Sequence, residues 1–199
     1  ISVSESHNKA NINRTHDQSF EELRRIRESF PELQLCIGMA TTFGCPFEGI
    51  PELDKVLRFV ERIRSCGVDE VYLADTIGIA DPAQVRRTVK GIWERFPDTR
   101  MQVHIHDTRG MGLVNTLAAV EAGVDTVQST LGGLGGCPFA PGASGNTATE
   151  DMVYMFQRMG YDTGIDFDKL LALSKQQHAE IEGVYSGHQM NIAAKSPCC

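Results

Sequence analysis

No apolar run in this 199-residue chain approaches the roughly 18 to 20 residues that a bilayer-crossing helix needs, and no signal-peptide pattern opens it. The sequence therefore predicts a soluble protein with no membrane partner. An excess of base is missing too: 19 Lys and Arg stand against 26 Asp and Glu, a formal charge of -7. Binding a phosphate backbone needs a concentrated basic face, so a nucleic-acid partner is excluded. The six cysteines, at 36, 45, 66, 137, 198 and 199, form neither a CxxC pair nor a small-domain disulfide framework. Reduced thiols in a cytosol-like compartment are the expectation. No GxGxxG follows the first strand-like run, which removes the usual dinucleotide fingerprint.

What is present is a regular alternation of strand-like and helix-like segments. ISVSE reads as a short strand and SHNKANINRTHD as a polar loop. SFEELRRIRESF carries Phe20, Leu23, Ile26 and Phe30 at helical spacing, with Asp17 or Ser19 available as N-cap. LQLCIGM is a buried strand, PELDKVLRFVERIRSCG a helix stopped by Gly67, VDEVYLADTIG a strand and loop, and DPAQVRRTVKGIWERF a helix with Pro82 in its first turn. MQVHIHDTRG, GLVNTLAAVEAG and VDTVQSTLGGLGG continue as strand, helix and strand, and two more helices follow in TATEDMVYMFQRMG and DFDKLLALSKQQHAEIEG. CGVDEV and AGVDTV, 56 residues apart, each mark a glycine stop followed by a buried strand. Such alternation requires parallel strands and crossover helices, so the class is α/β. An open doubly wound sheet and a closed barrel both satisfy it. Polar residues that gather after several different strands, and not at one crevice, favour the TIM (β/α)8 barrel.

The chemistry collects in three places. In MQVHIHD, alternation puts Gln102, His104 and His106 on one face, and in a barrel whose helix side is apolar that face is the interior. Two imidazoles there either converge on one ion or hydrogen-bond as core histidines. Asp107 points the other way, toward a loop-capping or supporting role. Asp75, in LADTIG, sits where a strand runs into its loop and can orient a histidine, accept from a substrate hydroxyl, or cap the next helix. Third, STLGGLGGCPFAPGASGN holds six glycines between 132 and 145, a density suited to a mobile lid. Cys137 is the one strongly nucleophilic or acid-base side chain in that run, and Asn146 just beyond it offers an amide oxygen to a hard divalent ion. The tetrapeptide GCPF occurs twice, around Cys45 and around Cys137. Cys45 is expected to be structural.

VHIHDTRGMGLVNT followed by STLGGLGGCPFAPGASGNTATEDMVYM closely resembles the hydroxymethylglutaryl-CoA lyase family, metal-dependent enzymes built on a TIM barrel, and ISVSESHNKANIN, GCPFEG and LADTIG extend the likeness over nearly the whole chain. The resemblance implies that His104, His106 and Asn146 ligate a divalent cation, Mg2+ or Mn2+. It implies that Cys137 takes part in proton transfer, that His104 helps in acid-base steps, and that Asp75 lines the active site. The implied substrate is an acyl-CoA, cleaved to acetyl-CoA and acetoacetate, and the implied partner is a second copy in a homodimer. The implied compartment is the bacterial cytoplasm or, in a eukaryote, the mitochondrial matrix. A longer or branched 3-hydroxyacyl-CoA, a condensing synthase of the same superfamily, and a non-catalytic remnant are the alternatives.

The family's aspartate, arginine and glutamate on earlier strands have no counterparts here. Residues 1–199 are accordingly expected to be the C-terminal portion of one barrel domain, holding about strands four to eight and the C-terminal helices, inactive and poorly folded alone. Arg109, where the family more often has an aromatic residue, is either a solvated loop residue or a contact for a substrate carboxylate or phosphate.

Overall fold

The computed structural model describes residues 1–136, 139 and 145–192. The order of elements is α1 (Glu5–Ile12), α2 (His16–Ser29), β1 (Cys36–Met39), α3 (Leu53–Arg64), β2 (Glu70–Asp75), α4 (Pro82–Arg95), β3 (Arg100–Ile105), α5 (Gly112–Glu121), β4 (Thr126–Gln128), α6 (Thr149–Arg158) and α7 (Phe167–Glu180). All four strands are parallel and lie in the order β1-β2-β3-β4, so each neighbours the next in sequence. A doubly wound sheet needs a reversal of strand order, and a barrel does not. The sheet is an arc of a TIM barrel.

The expected ISVSE strand is shorter than its sequence suggests. Ile1 and Val3 pair with the end of β1 through Val3 N–H to Ala40 O and Ala40 N–H to Ile1 O, both 2.9 Å. At Ser4 the backbone turns into a helix. Ser4 Oγ accepts from His7 N, and Asn13 closes α1 with a left-handed backbone, φ 53°. α1 therefore occupies most of the stretch expected as a polar loop. The sequence concealed it because its buried side chains, His7 and Asn8, are polar and leave no apolar stripe. Asn8 Nδ2 donates to Arg14 O at 2.8 Å and to Ser19 Oγ at 3.0 Å, which satisfies the buried amide. The N-cap of α2 is Thr15, not Asp17 or Ser19, because Thr15 and Gln18 close a reciprocal capping box.

Packing follows the alternation. Val71, Leu73, Met101, Val103 and Ile105 turn toward the helices and meet Val56, Val60, Ile63, Val85, Val89, Ile92, Ala118 and Ala119 in one buried cluster. Each fully buried aliphatic chain there contributes about 1.5 to 3 kcal/mol. The opposite face of the sheet, the barrel interior, carries Gly38, Tyr72, Gln102, His104 and Gln128. Leu73 and Ile63 belong to the layer that holds the strands in place, and the interior face is left free for chemistry.

Candidate active site

β3 delivers the two histidines to the carboxyl end of the sheet. His104 lies within the strand, and His106 follows one residue past its end, bridged in antiparallel fashion to Asn146. Their Nε2 atoms stand 3.2 Å apart. Two imidazole nitrogens held at right angles, each about 2.1 Å from one ion, would be about 3 Å apart. Burial lowers the pKa of His104 below the usual imidazole value, against the amides of Gln128 and Asn146 that face it. Burial and the neighbouring His104 push His106 down to about 4. Both rings are therefore neutral at pH 7, the form that binds metal.

Asn146 is placed by backbone. Asp107 N–H donates to Gly145 O at 3.0 Å, Asn146 N–H to Gly133 O at 3.1 Å, and Thr147 N–H to Ile105 O at 3.3 Å. Its Nδ2 donates to Leu134 O at 3.1 Å, which turns the amide oxygen the other way. Among the described residues that Oδ1 is buried without a hydrogen-bond partner, and so is His106 Nδ1. A buried acceptor without a donor costs about 1 to 3 kcal/mol unless something binds it. The two converging imidazoles and this stranded oxygen fit a divalent cation. Among the described residues no third His, Cys, Asp or Glu joins them.

Glycine is required at 145. Its φ is 102°, and a methyl group there would fall 2.3 Å from Gly135 O and 2.4 Å from Gly133 O. In this part of the glycine-rich run the missing side chains allow backbone to pack on backbone. Cys137, the acid-base side chain expected in the same run, lies outside the described residues.

Asp75 is not gathered with the histidines. It pairs in register with Ile105, on the helix-facing side, and is completely buried. Its carboxylate accepts from Ile79 N at 3.0 Å and from Ala80 N at 3.2 Å, so it caps the loop between β2 and α4. Burial, opposed by those N–H groups, pushes its pKa up to about 6. Asp107 likewise caps a loop, Oδ1 accepting from Gly112 N at 2.6 Å where α5 begins. Arg109 crosses to the same β2–α4 loop and donates to Ile77 O at 2.9 Å and Gly78 O at 3.0 Å. Cys45 is buried in a tight turn closed by paired backbone bonds with Gly49, and its sulfur accepts from Phe47 N at 3.3 Å.

Two features escaped the sequence reading. Thr41, just after β1, holds φ 58°, a conformation that costs a β-branched residue on the order of 1 to 3 kcal/mol. Thr41 N–H donates to Thr76 Oγ1 at 2.6 Å, and Thr41 Oγ1 accepts from Ser4 N at 3.1 Å, so three loops are tied together at the mouth. Glu150 is fully buried and accepts from Gly132 N at 2.9 Å and Ser174 Oγ at 2.7 Å, fastening α7 to the glycine run. Neither position carries a sequence signal, because an ordinary Thr or Glu at a loop or helix start looks the same.

The HMGL-like family model matches residues 1–176. Among curated proteins the chain is 40% identical over 177 residues to a hydroxymethylglutaryl-CoA lyase of Bacillus subtilis, covering 88% of this chain and 59% of that protein. It is also 40% identical over 176 residues to an (R)-citramalyl-CoA lyase of Chloroflexus aurantiacus, covering 87% of this chain and 56% of the relative. The crystal structure of the Bacillus subtilis HMG-CoA lyase superposes with a TM-score of 0.89 at 37% identity, over 96% of this chain and 64% of that one. An HMG-CoA lyase from Acinetobacter baumannii, in complex with coenzyme A and 3-methylmalate, superposes at 0.87 with 41% identity, over 98% of this chain and 67% of that one. The chain thus spans less than two thirds of the length of the curated relatives it matches.

Proposed function

The chain belongs to the HMGL-like family, and on that footing we propose that it contributes the active site of a carbon-carbon lyase that cleaves 3-hydroxy-3-methylglutaryl-CoA to acetyl-CoA and acetoacetate. One observation carries the reading: the Nε2 atoms of His104 and His106 stand 3.2 Å apart, and Asn146 brings a buried amide oxygen that has no hydrogen-bond partner among the described residues.

His104, His106 and Asn146 are the residues that would hold a divalent cation, Mg2+ or Mn2+. Bound there, such an ion supplies positive charge beside the substrate's oxygen atoms and makes the C3 hydroxyl more acidic. The chain's own residues carry the remainder. His104, half-buried in the barrel interior, assists removal of the C3 hydroxyl proton. The C2–C3 bond then breaks, its electron pair passes to C2 and the thioester, and the C3 carbonyl of acetoacetate forms. The thiol of Cys137 donates a proton to C2, completing acetyl-CoA. A thiol with an ordinary pKa near 8.5 is protonated at neutral pH and can give that proton. Asp75 contributes by holding the loop that includes Thr76 at the site's edge.

The 40% identity to an (R)-citramalyl-CoA lyase supports a second reading, the same bond cleavage on a different 3-hydroxyacyl-CoA. The active form is read as a homodimer, in the bacterial cytoplasm or the mitochondrial matrix; among the described residues no helix is long and apolar enough to cross a membrane. The test is a coupled assay of the intact protein for acetoacetate, with Mg2+ and after chelation. Metal-dependent acetoacetate release from 3-hydroxy-3-methylglutaryl-CoA is the expected result. Release of pyruvate from citramalyl-CoA alone would transfer the assignment to the second reading, and turnover of neither thioester would overturn both.

A further inference from the structure

Tyr72 takes no part in the chemistry above, yet it lies in the barrel interior beneath the histidines. It stands in register with Gly38 on β1 and Gln102 on β3. Its ring covers Gly38 so closely that a methyl group there would fall 2.2 Å from both Cζ and Oη of Tyr72. The same ring tilts against His104, centroids 6.2 Å apart. Its hydroxyl makes no hydrogen bond among the described residues. Gln128, in register with His104, reaches down to that layer, its Nε2 donating to Gln102 Oε1 at 2.8 Å.

The layer above is built differently. In register with His104, β2 presents Ala74, and Ala40 lies two residues beyond Gly38. On the β1 and β2 side of His104 that layer therefore presents only methyl groups, with Gln128 on the other side, and leaves room at the level where the reacting carbon would sit. Successive interior layers on a strand are about 6.6 Å apart, and packed atoms approach to about 3.5 to 4 Å, so about 3 Å of depth remains above the phenol. A carboxymethyl branch fits such a recess. A branch one methylene longer does not.

We propose that Tyr72 is the specificity-determining residue of the site: its ring, seated on Gly38, limits the acyl group to a short branch, and its hydroxyl donates to a carboxylate at that branch's end. The substrate class is a short 3-hydroxyacyl-CoA with a terminal carboxylate. The proposal rests on the reading of the site as an acyl-CoA lyase.

The experiment compares 3-hydroxy-3-methylglutaryl-CoA with its homologue one methylene longer, by kcat/KM, and inert thioether analogues of both, by calorimetry, on the intact protein. Tyr72→Ser should raise the longer-to-shorter ratio about 10-fold or more, the range one methylene commands in a fitted pocket. Tyr72→Phe should keep the length preference and weaken binding of the shorter analogue about 10-fold. Gly38→Ala should shift the preference when Tyr72 is present, by unseating the ring, and have no further effect in the Tyr72→Ser background. An unchanged ratio in Tyr72→Ser, in turnover and in binding alike, would overturn the proposal, as would equal effects of Gly38→Ala in both backgrounds. If neither thioester is cleaved but the binding preference still follows Tyr72, the lyase reading fails and the role of Tyr72 stands. If neither analogue binds, both fail.

Discussion

The ring of Phe47 meets the ring of Phe139 edge to face, centroids 6.0 Å apart, and His7 lies against both, at 6.2 Å and 4.6 Å. These two phenylalanines close the two copies of GCPF, 92 residues apart in sequence. The repeated tetrapeptide thus brings two loops at the barrel mouth together through its aromatic ends. Edge-to-face pairs contribute about 0.5 to 1.5 kcal/mol beyond the area they bury. Phe47→Ala, Phe139→Ala and the double variant should show a coupling energy of that size in urea unfolding; additive effects would mean the contact is incidental.

His7 stacks into that cluster with Nδ1 2.8 Å from Ser2 Oγ and a buried Nε2 that has no partner among the described residues. Burial lowers its pKa below the ordinary value. A base whose folded-state pKa is depressed binds its proton more readily unfolded, so the stability it allows is present above about pH 6.5 and lost as pH falls below that. His7→Phe should flatten that acid-side loss. The check is the urea midpoint of both proteins from pH 5 to pH 8, where parallel curves would show that His7 is protonated without cost.

Asp75 works with the opposite sign. Its pKa, pushed up by burial to about 6, means that the folded chain holds the proton over a range in which the unfolded chain has released it. This group's contribution therefore falls as pH rises from about 4 to about 6 and is constant above. The difference in stability between wild type and Asp75→Asn should change by on the order of 2 to 3 kcal/mol across that window. A pH-independent difference would place the carboxylate outside the buried loop cap.

How far the sequence reached can be judged from these same residues. Alternation in MQVHIHD put His104 and His106 on the interior face, because a strand's period of two is rigid and an apolar helix side leaves only one place for polar residues. The glycine stops at Gly67 and Gly123 were legible because both hold positive φ, 72° and 112°. α1 was not legible, because its buried members are His7 and Asn8 and its stability comes from specific hydrogen bonds. Tyr72 lay in plain sight on the interior face of VYLAD, but its meaning depends on a glycine one strand away. Pairwise relations of that kind, like Thr41 with Thr76, exist only after the sheet has fixed the register.

Gly145 tests how Asn146 is held. An added methyl group would strike the carbonyl oxygens of Gly133 and Gly135, and a φ of 102° is unfavourable for alanine whatever the space. Gly145→Ala should displace the Asn146 amide and weaken Mn2+ binding about 10- to 100-fold, comparable to Asn146→Ala. Electron paramagnetic resonance of free Mn2+ in titrations measures it directly. Wild-type affinity in both variants would remove Asn146 from the ligand set.

Metal binding and proton transfer should separate between two further substitutions. His106→Ala removes one of two nitrogens whose 3.2 Å approach defines the site. It should reduce Mn2+ affinity at least 10-fold and lower activity in a way that added metal partly restores. Cys137→Ser leaves the three proposed ligands in place but substitutes a hydroxyl that is a far weaker acid than the thiol. Mn2+ affinity should stay at the wild-type value while kcat falls about 100-fold or more, the usual contribution of a positioned acid, with no recovery at high metal. If Cys137→Ser instead retains near-normal kcat, another group must protonate C2. If His106→Ala binds Mn2+ as wild type does, the convergence of the two imidazoles is a feature of packing and not of ligation.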